Sequence, residues 1–595
     1  MDSNLTSIIK ELNFTFDQRR KEVPAAVLLL QTHPEIENVT IQTNNHRIMD
    51  PLTRAIALYP NRYLKLKLSM SSKIKFNLDP VLSSQLELRE LSLSNFSLLN
   101  KREARAMTNF LANIHTLKTL TLKSCDFSDN FRTHLQKFLE RSDLNSFTMI
   151  DCYIAYSNIN ANPSIFEIVF KAPHLKMVDL QMYDNSSISF TSSSETVSRE
   201  IKSITLAKMH LNTSLMHALE NISEHGQLRR LDLNFYDYPL NLNDALTRLL
   251  TNCKTIEHLF LRAKGEFPVL GNLLTFENLI TLDFENSIIH MDDCSSLIEF
   301  IQNTKTLQHL TLNPSNLGGQ YHDISYVRKL VEALKINTSI MYLKFSPDMN
   351  WQYNESVDSF SLFSLLSFSR TLESLEIRVK NLTKSNEEVL AQGLMHNSSL
   401  KYLIVNIAEI HHNNIFKSII DSLAFNSKLE TLQINAIRIF YLRSPAVSND
   451  ETTLFQGLTY NQSLRNLSLD ISLNPNACAS LAHALCHNQS LQHLNIKFSY
   501  DLPCIQDALS SNSTLSTFNS KYIYRVTFPR NIRNFKNYKF VRQINRPEPL
   551  TKIAANCYIV THRNLPPRDI IPDEVVNYLI EATQRFNLYR CFPAI

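Results

Sequence analysis

The sequence predicts an α/β fold: a curved, horseshoe-like solenoid of about eighteen similar coils. Its parallel β-sheet lines the concave face, its helices line the convex face, and helical caps close the N- and C-terminal ends. Three observations predict it. Blocks such as SLAHALCHNQSLQHLNIKF (480–498), EEVLAQGLMHNSSLKYLIV (387–405), VRKLVEALKINTSIMYLKF (327–345) and SSLIEFIQNTKTLQHLTL (295–312) repeat one order of features. Each has an apolar helical stretch, then Asn-x-Ser/Thr or a variant, then Leu-x-x-Leu-x-Leu. Within each block the apolar spacing shifts from three and four residues, as in Leu481, Ala484 and Leu485, to two, as in Leu494 and Ile496. That is the change from a helix stripe to one face of a strand. Finally, glycine is scarce, at seven in 595 residues, and no two sit in a phosphate-loop pattern. This disfavours the common nucleotide folds, which need backbone amides close to phosphate.

The coils start at Ile36, Tyr63, Leu88, Leu117, Leu144, Leu175, Ile201, Leu228, Ile256, Leu279, Leu307, Ile340, Leu372, Leu400, Leu429, Leu464, Leu491 and Leu515, with a mean spacing of roughly 28 residues. Period and motif resemble the leucine-rich repeat family, and the helical half of each coil makes the chain similar to the ribonuclease-inhibitor type. The resemblance covers roughly residues 30–525. It implies a fold and leaves function open. Neither strand nor helix can bury its apolar face alone, so the coils must stack, strand on strand and helix on helix. The array is assigned to 35–525, an N-terminal helical cap to 1–34 on the strength of LTSIIKEL and AAVLLLQ, and a basic, aromatic segment with a helical C-terminal cap to 526–595.

Asn488, Asn397, Asn337 and Asn461 all begin glycosylation sequons and all occupy one slot, where helix passes into strand. An asparagine there is expected to end the helix in a left-handed conformation and hydrogen-bond the turn. Cys125 and Cys152 sit just past strands, where this kind of repeat expects Cys or Asn, and read as buried turn residues.

Composition narrows the function classes. Net charge is +4 and apolar residues make up 44%, so there is core to bury and no global polyelectrolyte signal. MDSNLTSIIKELNF lacks the apolar run of a signal peptide, and Val23–Leu30 is too short to span a membrane. Nine cysteines without C-x-x-C pairs suit a reducing compartment. A soluble, monomeric, cytoplasmic protein is expected, or one of a host cytosol after secretion. No HExxH, GxSxG elbow or Cys-x-Asp occurs, and no His/Cys cluster has metal spacing. The expectation is a non-enzyme without cofactor, metal or catalytic residues.

Two C-terminal stretches depart from the repeat. Residues 521–547 hold eight Lys/Arg and no acid, interleaved with Tyr522, Tyr524, Phe528, Phe535, Tyr538 and Phe540. They read either as a cap with solvated charges or as a surface for nucleic acid or an anionic membrane. In 556–586, Pro572, Asp573 and Glu574 open a helix whose apolar stripe is Val575, Tyr578 and Leu579. This is similar to the start of an F-box and to part of a SOCS box, and the resemblance implies a ubiquitin-ligase adaptor as partner. A plain helical cap remains the other reading.

A protein partner would meet the sheet. The residue between the paired leucines points out of the core, giving Asp179, Asp232, Phe260, Asp283, Lys344, Glu376 and Gln433. Adjacent outward positions add Arg229, Arg230, Phe235, His258, Arg262, Glu285, His309, Tyr342, Glu373 and Tyr402. Aromatics and arginines carry most interface energy, and they concentrate between the coils starting at Leu228 and Ile340. The expected function is a protein-binding scaffold. The Asn-, Lys- and Ile-rich composition suits an effector of an intracellular bacterium. The alternative is a substrate receptor of a cullin-type ubiquitin ligase.

Overall fold

The computed structural model describes most of residues 11–519. Outside the described residues lie 1–10, 17–22, 58–63, 75–87, 155–163, 183–196, 238–241, 313–323, 347–356, 411–415, 440–451, 499–502 and 520–595, with shorter stretches between. The basic segment 521–547 and the F-box-like segment 556–586 are therefore outside them. The chain divides into two compact units, the first running to Leu228 and the second beginning at Arg229.

In the first unit the strands Glu11–Phe16, Asn38–Thr43, Leu64–Ile74, Leu88–Leu98, Thr119–Lys123, Ser146–Ile150, Met177–Gln181 and Ser203–Met209 pair in that order, all parallel. In the second, Arg230–Asp237, His258–Lys264, Thr281–Phe284, His309–Leu312, Tyr342–Phe345, Ser374–Asn381, Tyr402–Ile410, Thr431–Ile439, Asn466–Leu473, His493–Phe498 and Thr517–Asn519 do the same. Helices such as Lys384–His396 and Pro475–His487 connect them. Both units are leucine-rich-repeat solenoids.

The register explains the motif. Leu231, Leu259, Leu282, Leu310, Leu343, Leu375, Leu403, Leu432, Leu467 and Leu494 stand opposite one another from strand to strand, and all are buried. So are the residues two further on, Leu233 through Ile496. From the other side Cys478, Leu481, Ala484 and Leu485 close the core. Leu469 is 1% exposed, whereas Ser468 faces out and accepts a bond from Asn495. Replacing Leu469 by Ala should cost about 2–5 kcal/mol and Ser468 by Ala under about 0.5 kcal/mol. Equal urea-unfolding shifts at the two positions would refute this register.

All eighteen coil starts lead into a described strand. One further strand, Glu11–Phe16, lies inside the segment expected to be a helical cap; the helix Val23–Thr32 follows it. Leu12 stands opposite Val39 and Phe14 opposite Ile41. Ile9-x-x-Leu12-x-Phe14 is thus an additional copy of the motif. LTSIIKEL also satisfies a helical period, and a short apolar run cannot arbitrate between the two.

The asparagine slot differs from expectation in geometry and agrees in role. Asn397 and Asn461 are extended, with φ −75 and −72, so they do not end the helix in the left-handed region. Each side chain instead binds the neighbouring coil. Asn397 Nδ2 donates to Leu366 O and Ser369 O, and its Oδ1 accepts from the N–H groups of Ser399 and Leu400. Asn337, Asn426, Asn461, Asn488 and Asn512 repeat this pattern. Left-handed residues occur elsewhere, at Asn95, Ser124, Asp151 and Lys208 in the first unit.

Candidate functional site

The strand alternation that buries the leucines turns the residues between them outward, and stacking at the strand spacing of about 4.8 Å brings those of adjacent coils into contact. In the second unit this assembles one cluster from residues far apart in sequence. Asp232 lies opposite Phe260, and Phe260 opposite Asp283. Arg262, two residues beyond Phe260, donates from Nε (3.1 Å) and Nη2 to Asp283 Oδ2, and its Nη1 lies 3.9 Å from Asp232 Oδ1. Arg230 reaches Asp232 at 3.5 Å. Both guanidinium groups also cover the Phe260 ring, at 4.3 Å for Arg230 and 5.1 Å for Arg262. Phe260 is thereby held between two cations that are themselves held by two buried carboxylates.

This arrangement fixes the charges. Burial opposes the charge on Arg262, but the Asp283 carboxylate beside it outweighs that and raises its pKa. Asp283 also accepts the Glu285 N–H at 2.8 Å. Two coils further, Lys344 bridges Glu285 at 2.9 Å and Glu376 at 3.9 Å, and these neighbours likewise raise its pKa against burial. The outward row continues as a polar ladder, Asn406 to Glu376 and Asn435 to Asn406.

Along the N-terminal ends of the same strands runs an aromatic row. His258 Nδ1 lies 3.0 Å from Thr281 Oγ1. His309 stacks on Tyr342, ring centroids 4.2 Å apart and nearly parallel. Burial, then the charge of Arg230, lowers the His258 pKa; burial, then His258, lowers that of His309. Both are therefore neutral at neutral pH. Tyr342 and Tyr402 are exposed.

The structure thus brings Arg230, Asp232, Phe260, Arg262 and Asp283 together, joins Glu285 to Lys344, and places His258, His309 and Tyr342 alongside. Arg229 is at the margin, paired with Glu257 at 2.8 Å. Phe235 is a correction: it is 4% exposed and faces the core. The strand Arg230–Asp237 runs past Leu233, so Phe235 shares the parity of Leu231 and Leu233 and cannot be outward. Thr281 was not singled out in the sequence, because a lone threonine on a strand carries no signal until its partner is known.

Asp232 and Asp283 are ion-paired acceptors, and His258 contacts the Thr281 hydroxyl. Among the described residues no group of three or more His, Cys, Asp or Glu is arranged to hold a metal. No described helix is long and apolar enough to cross a membrane. Cys125 and Cys152 are buried in stacked turns, the Cys125 N–H donating to Cys152 Sγ at 3.4 Å. Burial pushes the Cys152 thiol far up, so it stays protonated.

No family model matches the chain, and no curated protein matches it. Among solved structures it is similar to a plant peptide hormone receptor, RGFR1, in complex with RGF2. The identity is 12% and the TM-score 0.29, over 86% of this chain and 76% of that one. The fold assignment stands on this chain's own strand register and buried leucines.

Proposed function

We propose that the chain is a non-catalytic scaffold that binds a partner protein on the outward face of the parallel sheet in its second unit. The observation that carries this reading is the cluster around Phe260. An aromatic ring, two arginines and two carboxylates are pre-positioned on a rigid sheet with their charges mutually satisfied, and Tyr342 and Tyr402 stand exposed beside them. Such a surface loses little conformational entropy on binding and offers the residue types that dominate interfaces. The host-cell effector setting and the cytoplasmic location belong to the same proposal and are supported by composition alone.

The test is to recover a partner by affinity enrichment with the full chain and then measure its affinity for variants by calorimetry. Phe260→Ala and Tyr342→Ala should each weaken binding by at least about 2 kcal/mol, roughly thirtyfold. Arg262→Ala should weaken it similarly. It is the less clean variant, because it takes the Arg262 ion pair from buried Asp283 and leaves Asp232 with Arg230, and should itself cost about 1–3 kcal/mol of stability. Thr121→Ala and Thr148→Ala, on the outward face of the first unit, should be near neutral. Unchanged affinity in Phe260→Ala and Tyr342→Ala, with deletion of 548–595 abolishing binding, would move the site to the C-terminal segment.

A further inference from the structure

The second unit carries an exposed apolar row that the sheet-face cluster does not use. It follows the turns leading from helix into strand, where the residue just before each slot is Ile336, Phe368, His396, Phe425, Tyr460 or His487. All six are exposed, and the apolar and aromatic ones heavily: Phe425 68%, Tyr460 65%, Ile336 59% and Phe368 58%. A single exposed phenylalanine needs no explanation. The same position exposed in consecutive coils makes a continuous strip, which a folded surface ordinarily avoids unless something covers it.

The asparagine ladder sets the spacing of the strip. Asn426 Nδ2 donates to Asn397 O, Asn461 Nδ2 to Asn426 O, and Asn488 Nδ2 to Asn461 O. A side chain of that length holds successive backbones about 5–7 Å apart, so the residues preceding each asparagine lie within reach of one another. That step is close to the ~5.4 Å pitch of an α-helix. A helix laid along the strip would offer one apolar residue per turn to each coil.

The charge around the strip is one-sided. The segments 335–339, 367–371, 395–399, 424–428, 459–463 and 486–490 contain Lys335, Arg370 and Lys428 and no Asp or Glu. Lys335 is engaged, lying 4.7 Å over the Phe368 ring and 2.7 Å from Glu332. Arg370 and Lys428 are exposed and hold no ion pair among the described residues. Two open cations are too few for an anionic membrane, which takes a cluster of about four or more. They suit the flanks of a single helix.

We propose that this strip is a second docking surface, separate from the sheet face, for an acidic amphipathic helix of a partner protein. Apolar residues of that helix at i, i+7, and i+10 or i+11 lie on Phe368, Phe425 and Tyr460, and its flanking carboxylates meet Arg370 and Lys428.

The test pans the full chain against a phage-displayed library of random 18-residue peptides. The enriched peptides are expected to be net acidic with apolar residues at helical period. A synthetic representative should bind at least tenfold more weakly to Phe425→Ser/Tyr460→Ser and to Arg370→Glu/Lys428→Glu, and equally well to Phe260→Ala. All four substituted side chains are exposed, so circular dichroism and thermal midpoint should match those of the starting chain and exclude unfolding as the cause. Four results would overturn the proposal. They are enriched peptides without helical period or carboxylates; binding lost in Phe260→Ala and kept in the strip variants; co-sedimentation with phosphatidylserine-containing vesicles that Phe425→Ser abolishes; and self-association that the same substitution abolishes. The first two concern which surface a peptide uses, so they leave the partner affinities of the sheet-face variants to stand or fall separately.

Discussion

Asn488→Ala is expected to destabilise the second unit by about 3 kcal/mol or more. Asn488 is 2% exposed. Its Nδ2 donates to Leu458 O at 2.7 Å and Asn461 O at 2.9 Å, and its Oδ1 accepts from Leu491 N–H at 2.8 Å and Ser490 N–H at 3.1 Å. Alanine strands Leu458 O and the N–H groups of Ser490 and Leu491 where water has little access, while Asn461 O keeps the Ser490 hydroxyl at 3.1 Å, and each orphaned buried group costs about 1–3 kcal/mol. A single turn bond, the role suggested by the sequence, would be worth about 1 kcal/mol. The excess comes from the Leu458 carbonyl of the preceding coil and from the second N–H that Oδ1 accepts. Asn488→Asp keeps the acceptor but replaces both donors with a buried charge, so it should be no better tolerated. Asn512, at the last rung and only half buried, makes the same bonds near the end of the ladder, so Asn512→Ala should cost less. Urea unfolding of the three variants checks the order. Because both amide hydrogens of Asn488 are engaged inside the protein, folded material passed through a secretory pathway should carry no sugar there. A glycan found at Asn488 by peptide mass, together with unchanged stability in Asn488→Ala, would overturn the ladder.

Gly457→Ala is the second large effect, and helix propensity alone points the other way. Alanine is better than glycine by about 1 kcal/mol in a helix, and Gly457 lies in the helical turn Gln456–Tyr460. A Cβ at this position would collide with Ile420 O and come 2.6 Å from Asp421 Cα and 2.7 Å from Ile420 C. These are backbone atoms of the preceding coil and cannot rotate away. The two coils must separate or the turn must unwind, for a net loss of about 3 kcal/mol or more. Gly393 is the comparison. There the new Cβ meets Leu366 Cβ at 2.8 Å and Phe363 O at 3.2 Å, so Gly393→Ala should cost clearly less. Equal thermal midpoints for Gly457→Ala and the starting chain would show that the coils are not packed backbone to backbone.

Much of this was legible in the sequence because the repeat is local. Each Leu-x-x-Leu-x-Leu states its own parity, and the same statement recurs until chance is excluded, so the coil starts and the buried leucines could be read directly. A local signal that fits two periods leaves the element open. LTSIIKEL is such a stretch: its spacing predicts a helix, and the strand Glu11–Phe16 forms inside the segment 1–34. Phe235 lies two residues past the last motif leucine, and nothing local says whether the strand has ended. The outward positions were legible as a set, including Asp232, Phe260, Arg262 and Tyr342, but not as a cluster.

The sequence by itself determined the coil, its core and the slot in which asparagine sits. Only the tertiary structure decided what the slot and the outward residues do. Asn488 bonds to carbonyls 27 and 30 residues away, and Arg262 to a carboxylate 21 residues away. The row from Ile336 to His487 becomes a strip only when the coils are stacked. The physical reason is that a side chain's parity is set by its own backbone, within a few residues. Its partner is set by the register between coils, and that register follows from the packing of all of them at once.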